Sequence, residues 1–551
     1  MSTSPVVPVS PVSPAPRDHA LAEAGTCPAR PTVREATYDL MRRFGMTAVF
    51  GNPGSTELPM FRDFPADFRY VLGLQEAVVV GMADGYAQGT RNAALVNLHS
   101  AAGVGNAMGN IFTAFRNRTP LVITAGQQAR SILPYEPFLA SSQATELPKP
   151  YVKWSIEPAR AEDVPAAIAR AYYLAMMPPR GPVLVSVPAD DWDRPADWVP
   201  TRVVSRALRP DPDVLAQIRA ALERSERPAF VVGGAVDRDG AWDEIVQLAT
   251  LHNARVWVAP MSGRCSFPED HRLFAGFLPA MREKIVGLLG GHDFILAIGA
   301  PAFTYHVEGF GPHLPEGASL AQLTDDPATA SWTPEGMAAV GSIRLALCDL
   351  LDGATPAGRP LPVAREPAER AAPGSPLLVA YVLQTLHALR GPSDIVVEEA
   401  PSARSVMQRH LPMCRSESFY TMDSGGLGYG MPAAVGVALA KPGQRVIGLI
   451  GDGSAMYSPQ ALYSAAQLRL QITFIVLNNR RYAALQDFAP VFGFAKDDPV
   501  QGTDLPGIDF VALALSQGCP GLRASDADTL QAALAQALAH DGPMLVEVEV
   551  S

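Results

Sequence analysis

Short, unbroken apolar runs recur along the chain, and turn-forming residues follow nearly all of them. In the first third these are "TAVFG" (47–51), "AALVNLHS" (93–100), "LVITAG" (121–126) and "PVLVSVP" (182–188). A second group comprises "AFVVGG" (229–234), "ARVWVAP" (254–260) and "FILAIGAP" (294–301). A third comprises "DIVVEEA" (394–400), "RVIGLIGDG" (445–453), "ITFIVLNN" (472–479) and "PMLVEVEV" (543–550). Runs without polar alternation read as strands buried on both faces, and helical segments lie between them. The pattern predicts an α/β protein of three doubly wound parallel-sheet domains, over 31–198, 208–355 and 377–551. The Pro-, Ala- and Arg-rich stretch "GATPAGRPLPVAREPAERAAPGSP" (353–376) marks the last boundary, with 356–376 as the linker.

A length of 551 residues suits about three domains of ordinary size. The net charge of −11 argues against nucleic acid or an anionic membrane as a partner. No apolar run reaches the roughly 18 residues of a membrane-spanning helix. Residues 1–30 are rich in Pro and Ser and lack the basic start and apolar core of a signal peptide, so a disordered extension is expected there. The five cysteines (Cys27, Cys265, Cys348, Cys414 and Cys519) have neither zinc-site nor disulfide spacing, and a cytoplasmic protein is expected.

Candidate chemistry enters at "GDGSAMYSPQALYSAAQLRLQITFIVLNN" (451–479). Strand, helix and strand form a βαβ unit, whose parallel strands end on the same sheet edge. Asp452 and Asn479 would meet there, and a carboxylate beside an amide oxygen suits a hard cation such as Mg2+. Gly451 and Gly453 would admit a phosphate to the backbone, and a helix starting after Ser454 would attract it.

Gly-Asp-Gly followed, after 24 residues, by Asn-Asn resembles the signature of thiamine-diphosphate-dependent enzymes. The resemblance implies that Asp452, Asn479 and the carbonyl of Arg481 hold Mg2+, that Mg2+ holds the cofactor diphosphate, and that Tyr482 lies in the same cofactor loop. "LQEAVVVGMADGYAQGT" (74–90) resembles the cofactor-activating segment, with Glu76 on the aminopyrimidine ring. "SGGLGYGMPAA" (424–434) resembles the segment that bends the cofactor, with Leu427 as the wedge and the Gly425 carbonyl on the amino group. The three blocks become pyrimidine-binding, middle and diphosphate-binding domains.

"FGNPGSTELPMFRDFP" (50–65), "NLHSAAGVGNAMGN" (97–110) and "VWVAPMSGRCSFP" (256–268) are similar to the benzoylformate decarboxylase branch of these 2-oxoacid decarboxylases. That branch implies decarboxylation of an aromatic 2-oxoacid to an aldehyde and CO2. Glu76, His99, His306 and Ser55 are then catalytic. Ser55 holds the substrate carboxylate, His99 serves the keto oxygen, and His306 donates the proton that replaces CO2. The substrate pocket is expected from Ser55, His99, His306, Pro401, Thr421, Met422, Ala484 and Phe488. The family also implies a homodimer as the minimal active unit and a homotetramer as the assembly. A carboligase using the same cofactor, or a decarboxylase of another 2-oxoacid, stays open.

The chain departs from the branch at several points. Arg480-Arg481-Tyr482-Ala483 stands where Gly-Thr-Tyr-Gly is usual, Thr421-Met422 replaces Phe-Cys, Pro401 replaces a threonine, and Asp487 replaces a tryptophan.

Overall fold

The apolar runs build three six-stranded sheets in the computed structural model, which describes residues 30–495 and 498–551. The expected N-terminal extension lies outside the described residues except for Arg30. The first sheet comprises β1 (Ala48–Gly51), β2 (Arg69–Leu72), β3 (Ala94–Leu98), β4 (Leu121–Gln127), β5 (Ser155–Ile156) and β6 (Val183–Pro188). The second comprises β7 (Pro228–Val232), β8 (Arg255–Val258), β9 (Phe274–Phe277), β10 (Phe294–Ile298), β11 (Ser319–Thr324) and β12 (Met337–Val340). The third comprises β13 (Ile395–Glu399), β14 (Phe419–Tyr420), β15 (Val446–Gly451), β16 (Ile472–Asn478), β17 (Gly521–Ala524) and β18 (Met544–Glu549). Every pairing is parallel. All seven residues of β16 are buried, as a central parallel strand covered on both faces requires.

The strand orders are β2-β1-β3-β4-β6-β5, β12-β11-β10-β7-β8-β9 and β14-β13-β15-β16-β18-β17. Counted from its own first strand, the third sheet repeats the order of the first. Both therefore reverse direction of winding at the same place, between β1 and β3 and between β13 and β15. At such a switch point the connecting loops part and leave a crevice beyond the carboxyl ends of the strands, where ligands of these folds sit. Residues 52–57 and His99 border one crevice, and residues 400–403 and Asp452 border the other.

One apolar core runs through the first and third sheets, joining Phe50 and Val96 to Tyr429 and Phe474. Its centre is the contact between the helices Glu76–Thr90 and Gly430–Ala440. At two points of this contact backbone meets backbone with no side chain between. A Cβ on Gly85 would lie 2.2 Å from the Ala433 carbonyl oxygen, and one on Gly436 would lie 1.9 Å from that of Met82. The second sheet attaches through buried ion pairs. Arg264 meets Asp237 at 2.9 Å, and Asp237 also accepts from the Glu417 N–H. Arg118, at the end of the first block's helix Ser100–Arg116, pairs with Asp326.

Several strands carry no clear apolar run. β5 and β14 have only two residues each, and β11 places Gln322 in the sheet interior, where its amide donates to the Ala300 carbonyl and accepts from Thr333. The segment between β15 and β16 also differs from the expected single helix starting after Ser454. A four-residue helix, Asp452–Ala455, starts two residues before Ser454, and a second follows at Ala461–Gln467. Pro459 causes the break, because it has no N–H to donate and it disfavours helical geometry at Ser458.

Candidate active site

At the third sheet's crevice, β15 delivers Asp452 and β16 delivers Asn479 to one edge. Asp452 Oδ2 lies 3.3 Å and Asn479 Oδ1 3.2 Å from the same backbone nitrogen, that of Arg481. Asp452 Oδ1 accepts from the Gly453 N–H at 2.7 Å. Burial pushes the Asp452 carboxyl up, and backbone N–H groups at Gly453, Arg480, Arg481 and Asn479 oppose that shift. Residues 480–482 are held against 503–505, since Leu505 donates to the Arg480 carbonyl and Tyr482 to that of Thr503, both at 2.7 Å. The carbonyl of Arg481, between them, accepts no hydrogen bond among the described residues. Tyr482 lies flat against Gly453, where a Cβ would come 2.2 Å from its ring. Gly451, Asp452, Asn479, Arg481 and Ala483 line a cavity of about 440 Å3, with Ala400 and Asp487 beside them. Ser454 is buried behind Gly451.

The first sheet's crevice holds a second group. Glu76 opens its helix, is 9% exposed, and accepts from Asn52 at 3.2 Å and Asn106 at 3.1 Å. Gln75, the N-cap, occupies the Ala77 and Val78 N–H groups and leaves the Glu76 carboxylate to those two amides. His99 caps the next helix with its backbone only, and its Nδ1 lies 2.9 Å from Glu57 Oε2 and 3.0 Å from Thr56 Oγ1. Ser55 is exposed in the same turn and caps no helix.

The remaining expected residues divide into two sets. His306 and Phe488 come together, with stacked rings 4.8 Å apart at 22°. Ala484 lies on the same short helix as Phe488, Ala483–Phe488. Pro401 is exposed on the turn after β13, Gly425 is exposed with φ +74°, and Leu427 is half-buried against the shared core. Thr421 and Met422 differ from the expectation that they face a substrate. Each is 2% exposed. The Thr421 hydroxyl lies 2.8 Å from the Glu398 carbonyl and 2.9 Å from its carboxylate, and it accepts from Arg404 at 2.7 Å. A threonine fits there because Glu398 and Arg404 form a buried ion pair whose free lone pairs and N–H groups need partners. Met422 packs into the core with Tyr420 and Tyr429.

Family models of the thiamine pyrophosphate enzymes match in three consecutive parts. The N-terminal TPP-binding domain covers residues 31–146, the central domain 215–350, and the C-terminal TPP-binding domain 402–548. The chain belongs to the thiamine pyrophosphate enzymes. Within that family it is 48% identical over 522 residues to a benzoylformate decarboxylase of Pseudomonas aeruginosa, spanning 94% of this chain and 98% of the relative. A solved thiamine diphosphate-dependent 4-hydroxybenzoylformate decarboxylase of Rhodococcus jostii RHA1 superposes with TM-score 0.91 at 42% identity, covering 95% of this chain and 99% of that one. A benzoylformate decarboxylase from Polynucleobacter necessarius gives TM-score 0.92 at 40% identity, covering 94% and 98%.

Four polar residues of this thiamine pyrophosphate enzyme escaped the sequence reading: Asn52 and Asn106 on Glu76, and Thr56 and Glu57 on His99. Asn52 and Glu57 lie inside the quoted "FGNPGSTELPMFRDFP", and Asn106 inside "NLHSAAGVGNAMGN". The only sequence signal for them was their nearness to Ser55 and His99. Among the described residues no hydrogen bond joins Glu76 to Asp452, and only third-block residues line the cavity at Asp452.

Proposed function

We propose that this chain is a thiamine-diphosphate-dependent decarboxylase of an aromatic 2-oxoacid of the benzoylformate kind, releasing CO2 and an aldehyde. The observation that carries the reading is the 48% identity to a relative of that name, which extends over all three blocks. On this reading residues 31–198 form the pyrimidine-binding domain, 208–355 the middle domain, 356–376 the linker and 377–551 the diphosphate-binding domain.

The residues present fit the cofactor and its metal. The donors at the third crevice are all oxygen: the Asp452 carboxylate, the Asn479 amide and the unpaired Arg481 carbonyl. Such a set selects Mg2+ over softer metals. Gly451, Gly453, Ser454 and Tyr482 border the same cavity or its wall, and a side chain at 453 would collide with Tyr482. When bound, thiamine diphosphate supplies an electron sink for the pair left behind as CO2 departs. Glu76, enclosed and held by two amides, would be the residue that holds a proton toward the aminopyrimidine ring, with Leu427 and the Gly425 carbonyl beside it. Ser55 binds the substrate carboxylate. His99 would protonate the keto oxygen as it gains charge, and His306 would deliver the proton that takes the place of CO2. Phe488 and Ala484 border the ring of the substrate, with Pro401 nearby.

Among the described residues Glu76 does not line the cavity at Asp452, which supports a site completed by two chains. We therefore propose a homodimer as the minimal active unit, within a homotetramer. No helix among the described residues is long and apolar enough to cross a membrane. A cytoplasmic enzyme with a small-molecule 2-oxoacid as its partner, and no nucleic acid, fits that observation and the charge.

The experiment is product analysis with a panel of 2-oxoacids, thiamine diphosphate and Mg2+, with and without an acceptor aldehyde. Benzaldehyde and CO2 from benzoylformate are expected. Turnover of small aliphatic 2-oxoacids alone overturns the aromatic reading, and an acyloin as the main product without added aldehyde favours carboligation.

A further inference from the structure

Glu57 lies two residues beyond Ser55, and its side chain is 1% exposed. Oε2 accepts from the Gly54 N–H at 2.8 Å and faces His99 Nδ1 at 2.9 Å, while Oε1 accepts from Thr56 Oγ1 at 2.5 Å. On its other side the carboxylate lies against the backbone of β4, where a Cβ on Gly126 would come 1.8 Å from Oε1. His99 packs equally closely on Gly54, 2.2 Å from where a Cβ would be. Among the described residues no Lys or Arg pairs with Glu57, and His99 is the ring that faces it.

The hydrogen bonds fix the state of the ring. An ionised carboxylate only accepts, so it takes the hydrogen of whatever faces it. The Thr56 hydroxyl has one hydrogen, directed at Glu57 Oε1, so towards His99 Nδ1 it is also an acceptor. Nδ1 thus has an acceptor on each side and carries a proton. In the neutral ring Nε2 is then the free basic nitrogen, and it has no hydrogen-bond partner among the described residues.

We infer that Glu57, with Thr56, is the positioning residue of this site: it holds His99 as the Nδ1–H tautomer and leaves Nε2 to exchange protons with the ligand. The inference rests on the acid–base role of His99 proposed above. The imidazolium form gives its Nε2 proton to the ligand oxygen, the neutral ring takes it back at Nε2, and Nδ1–H stays on Glu57 in both forms. This division of labour is the same as in carboxylate–imidazole pairs that serve hydroxyl nucleophiles.

The test is a double-mutant cycle on benzoylformate decarboxylation by the holoenzyme. Glu57→Gln is expected to lower kcat/KM by about 10–100-fold, mostly in kcat, as loss of an orienting partner does elsewhere. In the His99→Ala background the same substitution is expected to change little, because its effect passes through the missing ring. Thr56→Val should show a smaller loss that vanishes in the same background. The cofactor-dependent rise in Tm reports folding for each variant, and if Glu57→Gln lacks it, Thr56→Val carries the test. Losses that multiply with that of His99→Ala overturn the positioning role and leave the site reading intact. Full activity in His99→Ala alone overturns both.

Discussion

Asp452 and Asn479, 27 positions apart (479 − 452 = 27), direct their side-chain oxygens at one backbone N–H, that of Arg481. Beside them the Arg481 carbonyl accepts no hydrogen bond among the described residues, so three oxygens are gathered at one sheet edge. Thiamine diphosphate with Mg2+ should raise Tm through binding to the folded state, by the equivalent of about 2.7 kcal/mol at a hundredfold excess over Kd. Asp452→Ala should abolish the rise. Arg481→Ala should retain it, because its donor is a main-chain oxygen. Differential scanning fluorimetry of the three proteins decides this.

Glu76 and Asp452 face separate crevices. If two chains complete each site, mixing Glu76→Ala with Asp452→Ala under subunit exchange should restore part of the activity that each lacks. An active monomer, or mixtures that never recover, would rule out the shared site.

Arg480 adopts φ +61° where relatives of this branch are expected to carry glycine. A side chain in that region costs roughly 1 kcal/mol, and the exposed contact of Arg480 with Glu549 at 3.5 Å returns little of it. Arg480→Gly should therefore stabilise the protein by up to about 1 kcal/mol. A shift of the urea midpoint to lower concentration would contradict the strain.

Thr421 is part of the buried Glu398–Arg404 network. Thr421→Val should cost about 1–3 kcal/mol, because it leaves buried polar partners unmatched. It should not change the ratio of kcat/KM for benzoylformate and its 4-hydroxy analogue. Urea unfolding and the paired kinetics test both halves, and a changed ratio would put the hydroxyl in the substrate pocket after all.

Burial pushes the Glu269 carboxyl up to about 8, with the Met413 contact, Arg365 and Arg390 opposing. Its folded pKa exceeds that of the unfolded chain, so its contribution to stability is complete below about pH 4.5 and is lost as pH rises through about 8. Asp84, at about 6, and Glu399, at about 7, act in the same direction. Tm should fall between about pH 5 and pH 8, and Glu269→Gln, which mimics the protonated acid, should fall less. Parallel Tm curves would mean that Glu269 ionises like a surface carboxyl.

The central strands were legible because burial on both faces leaves an unbroken apolar run, as in "ITFIVLN". The convergence of Asp452 and Asn479 was legible because short turns place both just past those strands. β11 was not legible, because Gln322 finds its partners from distant segments and looks like a surface residue in sequence. Glu57 was hidden for a similar reason: a carboxylate in "GSTEL" is indistinguishable from a solvated one until β3 brings in His99, 42 positions on. The helix break at Ser458-Pro459 was written in the sequence, but the helical pattern on either side masked it. Thr421 misled because a matching position in a relative says nothing about which way a smaller side chain turns once Arg404 offers it a bond.

The seam between the helices Glu76–Thr90 and Gly430–Ala440 is closest where Gly85 meets Ala433 and Gly436 meets Met82. Main-chain atoms meet there directly, so sliding one helix along the other would drive carbonyls into Cα atoms. That close packing resists sliding of the first block against the third. The chain between β6 and the second block's first helix, Pro212–Arg224, has no helix or strand from 199 to 210, and neither does 354–373 beyond that block. Breathing is thereby channelled to the second block, which carries His306, and to the short helix that carries Phe488. The stacked pair His306–Phe488 is the point where the second block touches that short helix of the third.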